Sequence, residues 1–454
     1  MSRRVVISGL GAVTGFGCGV QALWDALYEG RSCLKRISRF DPSGFPCQAA
    51  GEALDFSARD HVPKHYRKAV KVMARDIELA VGAAKAAVED AGIVTRGTLN
   101  GETESPAAPK TTYPPARVGC QIGAGLIAAE IPELAFALAS AVDEKTGRAD
   151  AGGFSYEKWG ESGMHNLTPL WLLKYLPNML ACHVTIIHEA CGPSNTITCA
   201  EASGLLSIGE SLRVIQRGDA DLCFAGGAES KVNHMGLMRM HMAGRVAPAR
   251  IDPGQDGAWR HVRPYDPEAT GGLLGEGAGI ALLESLDTAK QRGARNLVEV
   301  LGFGAACGPV TGDLKSRSRG LASAVRRALQ DSSTNAGEID AIVPHASGVR
   351  SEDEAEAAAL HDVFADRLGS IPLVTLTPAV GDTMAGAGGL SASVGAMCIR
   401  RQALPARLHA GKPASGLAAG ASKARDARLR RVLVCTGSMG GQNAAVVLGA
   451  LNEN

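Results

Sequence analysis

Chemistry in this chain centres on a carboxylate at a sharp turn. In Cys191-Gly-Pro-Ser-Asn-Thr-Ile-Thr-Cys-Ala-Glu201, the β-branched residues Thr196, Ile197 and Thr198 read as a short strand. Leu205, Leu206, Ile208, Leu212, Val214 and Ile215 then recur at helical spacing up to Arg217-Gly218. A strand-to-helix elbow of this kind lifts one side chain clear of the backbone and aims the free N–H groups of the next helix at it. An anion there gains roughly 0.3 to 1 kcal/mol. A thiolate would gain nucleophilicity at such a point, whereas Glu201 gains only stability and stays ionised unless burial overrides the helix. A plain first-turn acid or N-terminal cap remains the alternative.

The elements around this elbow alternate. Strands are expected at the N-terminus and near 118–122, 222–225, 279–283, 339–343, 373–376, 431–435 and 444–448. Helices are expected near 66–91, 203–217 and 321–329 and from Glu352, which makes an α/β layered chain. The turn Gly9-Leu-Gly-Ala-Val-Thr-Gly15 has an imperfect echo in Val300-Leu-Gly302-Phe-Gly-Ala-Ala-Cys-Gly308, so two halves of similar design are expected, 1–287 and 288–454. Two stretches break the rhythm: 95–117, rich in proline, reads as an exposed loop without chemistry, and 126–170 as an elaboration that is either a flexible insertion without chemistry or a segment that covers a substrate entrance or reaches a partner. The sixth position of the first glycine turn is Thr14, and no acidic ribose partner follows at the expected distance, so a dinucleotide site is not indicated.

Composition narrows the class. With 454 residues, 45% apolar content and a formal charge of +1, the chain has ample core and neither the bias of a disordered segment nor that of a nucleic-acid surface. Its eleven cysteines contain no C-x-x-C pair, which points away from a zinc site or disulfide framework and towards reducing cytoplasm. No apolar run reaches membrane-spanning length, and no metal or cofactor is expected.

Taken together, the landmarks resemble the β-ketoacyl-acyl carrier protein synthases, the condensing enzymes of fatty acid and polyketide synthesis. They are Arg3-Arg-Val-Val-Ile-Ser-Gly-Leu-Gly11, Gly192-Pro-Ser194, Gly218-Asp-Ala-Asp221, Ala225-Gly-Gly-Ala-Glu229, Arg263-Pro-Tyr-Asp-Pro267 and Gly275-Glu-Gly-Ala-Gly279, in family order over nearly the whole chain. The resemblance implies a thiolase-type fold, two fused βαβαβαββ halves in a five-layered αβαβα core, normally dimeric. It also implies an acyl carrier protein partner that delivers a phosphopantetheine-linked chain to a cysteine, with two histidines assisting decarboxylation of malonyl-carrier protein.

Carried over residue by residue, the resemblance breaks at the chemistry. The family's nucleophile lies seven residues after the serine of Gly-Pro-Ser, and seven after Ser194 is Glu201. Cys199 and Cys191 lie nearby, out of register, and are expected to be buried structural thiols. The first family histidine matches His345 in Val343-Pro-His345-Ala-Ser-Gly-Val-Arg-Ser-Glu-Asp353-Glu-Ala-Glu356, at the end of an apolar strand where α/β folds place ligands. At the second histidine stands Asp382, and at the family's lysine Thr377. The glycine-rich gate corresponds to Gly437-Ser-Met-Gly-Gly-Gln-Asn443, with Met439 in place of phenylalanine and with Gly440 and Gly441 allowing close backbone approach to an acyl chain.

Three activities fit this pattern. One is a non-condensing partner resembling chain-length factors, paired as a heterodimer with a cysteine-bearing ketosynthase or as a homodimer. Another is a malonyl-carrier protein decarboxylase, although the charges of Glu201 and Asp382 oppose an incoming carboxylate. The third is an acyl-thioester enzyme using Glu201, His345 and Asp382 as an acid/base set.

Overall fold

The opening apolar run forms strand β1 (Val5–Thr14), every residue of which is buried, as a strand covered on both faces must be. The computed structural model describes residues 3–99, 110–142 and 153–451. After β1 come helix α1 (Arg75–Ala91), β2 (Val118–Gly123), α2 (Met179–His188), β3 (Ser194–Ile197), α3 (Ser203–Arg217), β4 (Leu222–Ser230), α4 (His234–Met242) and β5 (Leu274–Ser285). The second half supplies β6 (Val298–Cys307), α5 (Leu314–Asp331), β7 (Ala341–Val343), α6 (Arg350–Phe364), α7 (Ala387–Arg401), β8 (Arg431–Gly437) and β9 (Gln442–Ala450).

Hydrogen bonding runs β7-β8-β9-β6-β1-β5-β4-β2-β3. The two strands that echo one another in sequence meet at the centre, where β1 pairs antiparallel with β6 through Val6 with Glu299 and Ile7 with Val298. Helix α1 covers β1, β5 and β4 on one outer side, and α5 covers β6 and β9 on the other, with α6 packed against α5. Between the half-sheets lie α3 and α7, touching each other, with α3 against β4 and β2 and α7 against β5 and β8. The result is the αβαβα layering of the thiolase type, with its core in Leu205, Ile208, Leu212, Val394 and Leu448.

Three local expectations are corrected. The helix expected over 66–91 is two pieces, a 3-10 segment Lys64–Val72 and α1 from Arg75. Around 373–376 there are only isolated bridges, Pro372 with Ala418 and Ile342 with Leu373, and then a short helical turn Thr377–Val380. Pro378 at the start of that turn supplies no N–H to extend a ladder. The ends of the 95–117 stretch are packed, not exposed: Thr95 Oγ1 lies 2.7 Å from His188 Nδ1, and the Tyr113 hydroxyl donates to Glu284 at 2.6 Å. Residues 100–109 of that stretch and 143–152 of the 126–170 elaboration lie outside the described residues. The described part of the elaboration holds helix Ile131–Ala139 and short helical turns from Tyr156 to Asn166.

Candidate functional site

Glu201 stands in the turn Ala200–Ala202 between β3 and α3, fully buried. Ala200 holds φ at 45°, a left-handed conformation that costs a residue with a Cβ and is sustained by its surroundings. The Ser203 hydroxyl accepts the Cys199 N–H at 2.8 Å and donates to the Ala200 carbonyl at 2.6 Å, which ties both sides of the elbow. A Cβ on Gly204 would come within 2.7 Å of the Gly389 nitrogen, so glycine there lets the start of α3 approach the start of α7.

The partner of Glu201 is a residue the sequence reading did not single out. Arg245 follows α4 through a turn in which Gly244 takes φ 68°. Its N–H donates to the Met240 carbonyl at 3.0 Å, and its carbonyl accepts the Gly272 N–H at 2.9 Å. Thus fixed, the guanidinium bonds one oxygen of Glu201 through Nη1 and reaches Glu352 at 3.0 Å and Asp382 at 3.4 Å through Nη2. The other oxygen of Glu201 accepts the Met439 N–H at 3.1 Å. The elbow therefore forms as expected, but a guanidinium and a loop amide hold the carboxylate, not the helix N–H groups. Burial pushes the Glu201 carboxyl above its ordinary range, with Arg245 opposing that push.

His345 leaves β7 at its C-terminal end. Glu356, in the second turn of α6, fixes its backbone by accepting the N–H groups of His345 at 2.9 Å and Ala346 at 2.8 Å, together with the Tyr265 hydroxyl at 2.7 Å. The imidazole Nε2 lies 3.6 Å from Asp382, an ion-pair distance too long for a hydrogen bond. Nδ1 is 3.2 Å from the Thr436 hydroxyl. Burial alone would lower this histidine, but the adjacent Asp382 carboxylate, with Glu201 and Glu356 beyond it, outweighs burial and raises it to about 9. Asp382 is pinned by its own N–H to the Leu273 carbonyl at 2.7 Å and accepts the Met384 N–H at 2.9 Å. Burial would raise its carboxyl; His345 and Arg245 more than offset this and hold it well below the usual range.

Glu201, His345, Asp382 and Met439 are thus brought into one cluster, joined by Arg245 and Glu352. Thr377 stands behind it, its buried hydroxyl bonded to the Ala346 carbonyl. Gly441 takes φ 84° at the tight turn, and Gly440 is at the surface. A cavity of about 320 Å³ opens beside the cluster, lined by Arg245, His345, Ser347, Glu352, Met439 and Gly441 among others, with Glu201 behind Arg245 and not in its wall. Cys191 is exposed, which corrects the expectation of a buried thiol there, and burial pushes the Cys199 thiol up and disfavours its thiolate. A carboxylate engaged by a guanidinium is a poor nucleophile, and a mixed anhydride formed on it would hydrolyse readily. The charged imidazole is a donor.

Arg245 carries no motif of its own. Two acids, Glu201 and Asp382, expected at one buried place do call for a cation, and that demand was the available signal.

Residues 2–289 match the β-ketoacyl synthase N-terminal domain and residues 297–411 its C-terminal domain. The chain belongs to the β-ketoacyl synthase family. It is 30% identical to the actinorhodin polyketide putative beta-ketoacyl synthase 1 of Streptomyces coelicolor, over 99% of this chain and 89% of that protein. It is 29% identical to 3-oxoacyl-[acyl-carrier-protein] synthase 2 of Coxiella burnetii, over 98% of each. Among solved structures it is similar to the ishigamide ketosynthase/chain length factor, with a TM-score of 0.80, 28% identity and full coverage of both chains. No helix among the described residues is long and apolar enough to cross a membrane.

Proposed function

We propose that this chain is a non-condensing member of the family, a chain-length-factor-like partner for a cysteine-bearing ketosynthase acting on chains delivered by an acyl carrier protein in the cytoplasm. The reading takes Glu201 as the replacement for the nucleophile. The observation that carries it is the buried Glu201–Arg245 pair: the side chain at the elbow is neutralised by a fixed cation and cannot accept and pass on an acyl group. Likeness to a ketosynthase/chain length factor structure supports the same reading.

A partner also has somewhere to sit. Strand β3 closes the sheet order with Ser194 and Asn195 exposed, and an unpaired edge of this kind accepts another strand. The Asn195 side chain accepts the Thr196 N–H at 2.9 Å, so that donor faces away from β2. Leu126, Phe136, Leu170 and Ile186 are exposed apolar side chains of the neighbouring segments, the kind of surface that marks an interface. The decarboxylase alternative needs a cation for the malonyl carboxylate, and Arg245 is already engaged by three carboxylates.

Co-expression with a cysteine-bearing ketosynthase tests the proposal. A stable one-to-one complex that makes product from acyl- and malonyl-carrier protein is expected. A homodimer that carries out the condensation alone would overturn it.

A further inference from the structure

The cavity beside the cluster ends at Arg245. Its walls include the Arg245 and Met439 side chains, and Glu201 lies beyond them with no exposure. The guanidinium is held on every side: Glu201 and Asp382 at one face, Glu352 towards the cavity, and the sulfurs of Met384 and Met439 within 3.8 and 3.6 Å of Nη1. Its backbone is equally constrained. The Arg245 carbonyl pairs with Gly272, and a Cβ on Gly272 would come within 2.4 Å of the Ser347 carbonyl, so this segment is wedged against the loop that follows His345. A side chain fixed at both ends and engaged by three carboxylates is part of the wall.

We propose that Arg245 is a built-in barrier between the cavity and position 201, so that a thioester carbonyl entering the cavity stops at the guanidinium whatever residue stands at 201. This rests on the reading that position 201 carries no acyl chain and adds the reason that restoring sulfur alone does not restore acylation. Arg245 is in these terms a positioning residue. Removing Glu201 alone leaves it tethered to Glu352 and Asp382; removing both members of the pair takes away the barrier and the charge that needs it.

The test compares Glu201→Cys with Glu201→Cys/Arg245→Met, using butyryl-N-acetylcysteamine as the acyl donor. In the reaction, the introduced sulfur bonds the thioester carbonyl carbon, the bond from that carbon to the N-acetylcysteamine sulfur breaks, and the released thiolate takes up the proton given up by the protein thiol. Intact mass and peptide mapping read one butyryl group at position 201, with the wild type as control for the native cysteines. The double variant is expected to acylate at least about 10²-fold faster than the single one, the scale of effect that misplacement of reacting atoms produces. Equal rates, or a folded double variant that is not acylated at position 201, would overturn the proposal.

Alkylation of the single variant by iodoacetamide gives an answer should the double variant not fold. The introduced thiol is expected to be protected in native buffer and modified in urea; native-state modification as fast as that of exposed Cys191 would overturn the barrier. Failure of the non-condensing reading itself would show separately, as condensation by the wild type.

Discussion

The Arg245 guanidinium and the Glu201 carboxylate form a buried ion pair, with side-chain exposures of 5% and 0%. Taking two charges out of water costs several kcal/mol each, so neither group is tolerated here without the other. The pair therefore sets the stability of the site.

Breaking it one-sidedly is expected to be costly. Arg245→Met leaves Glu201 and Asp382 buried with less counter-charge and should lower unfolding stability by about 3 to 5 kcal/mol. Adding Glu201→Gln should recover much of that loss. Urea unfolding of the two single variants and the double variant measures the coupling directly.

His345 gives the site a pH signature. Its value of about 9 in the folded protein stands above the ~6.5 of an unfolded histidine, so the protonated imidazole favours the folded state. That contribution, at most about 3 kcal/mol, is complete below pH ~6.5 and is lost as pH rises through 9. The difference in unfolding free energy between wild type and His345→Gln, followed from pH 6 to about 10 by denaturant titration, should shrink over this window.

Glu356 acts through the backbone. With its carboxylate gone, the N–H groups of His345 and Ala346 and the Tyr265 hydroxyl lose an acceptor inside the protein. Glu356→Ala is expected to lower stability by about 3 kcal/mol, again by urea unfolding.

At the sheet edge, Thr196→Pro removes the outward donor of β3 while sparing the carbonyls and N–H groups that pair with β2. Sedimentation of the complex with a cysteine-bearing ketosynthase should show at least about tenfold weaker association, about 1.4 kcal/mol. The isolated chain should keep its secondary structure by circular dichroism.

Much of this was legible from residues alone, because the elbow around Glu201 and the strand before His345 are written locally, in β-branched runs followed by helical spacing. The landmarks also brought Asp382 and Met439 to the same place. Arg245 was not legible: it follows a helix end and a single glycine, and its role exists only once the elbow at Glu201, the start of α6 at Glu352 and the turn at Asp382 close around it. The 373–376 segment misled for a related reason. Its apolar residues serve the core through isolated bridges and a proline-initiated turn, and apolar content does not distinguish that from a strand.

By the proposed function the chain alone performs no acyl chemistry at the Glu201 cluster. Release of labelled carbon dioxide from malonyl-carrier protein by the purified wild-type chain, without a partner, tests it most directly. Release no faster than in the absence of protein is expected; steady, saturable release that His345→Gln abolishes would overturn the non-condensing, partner-dependent reading.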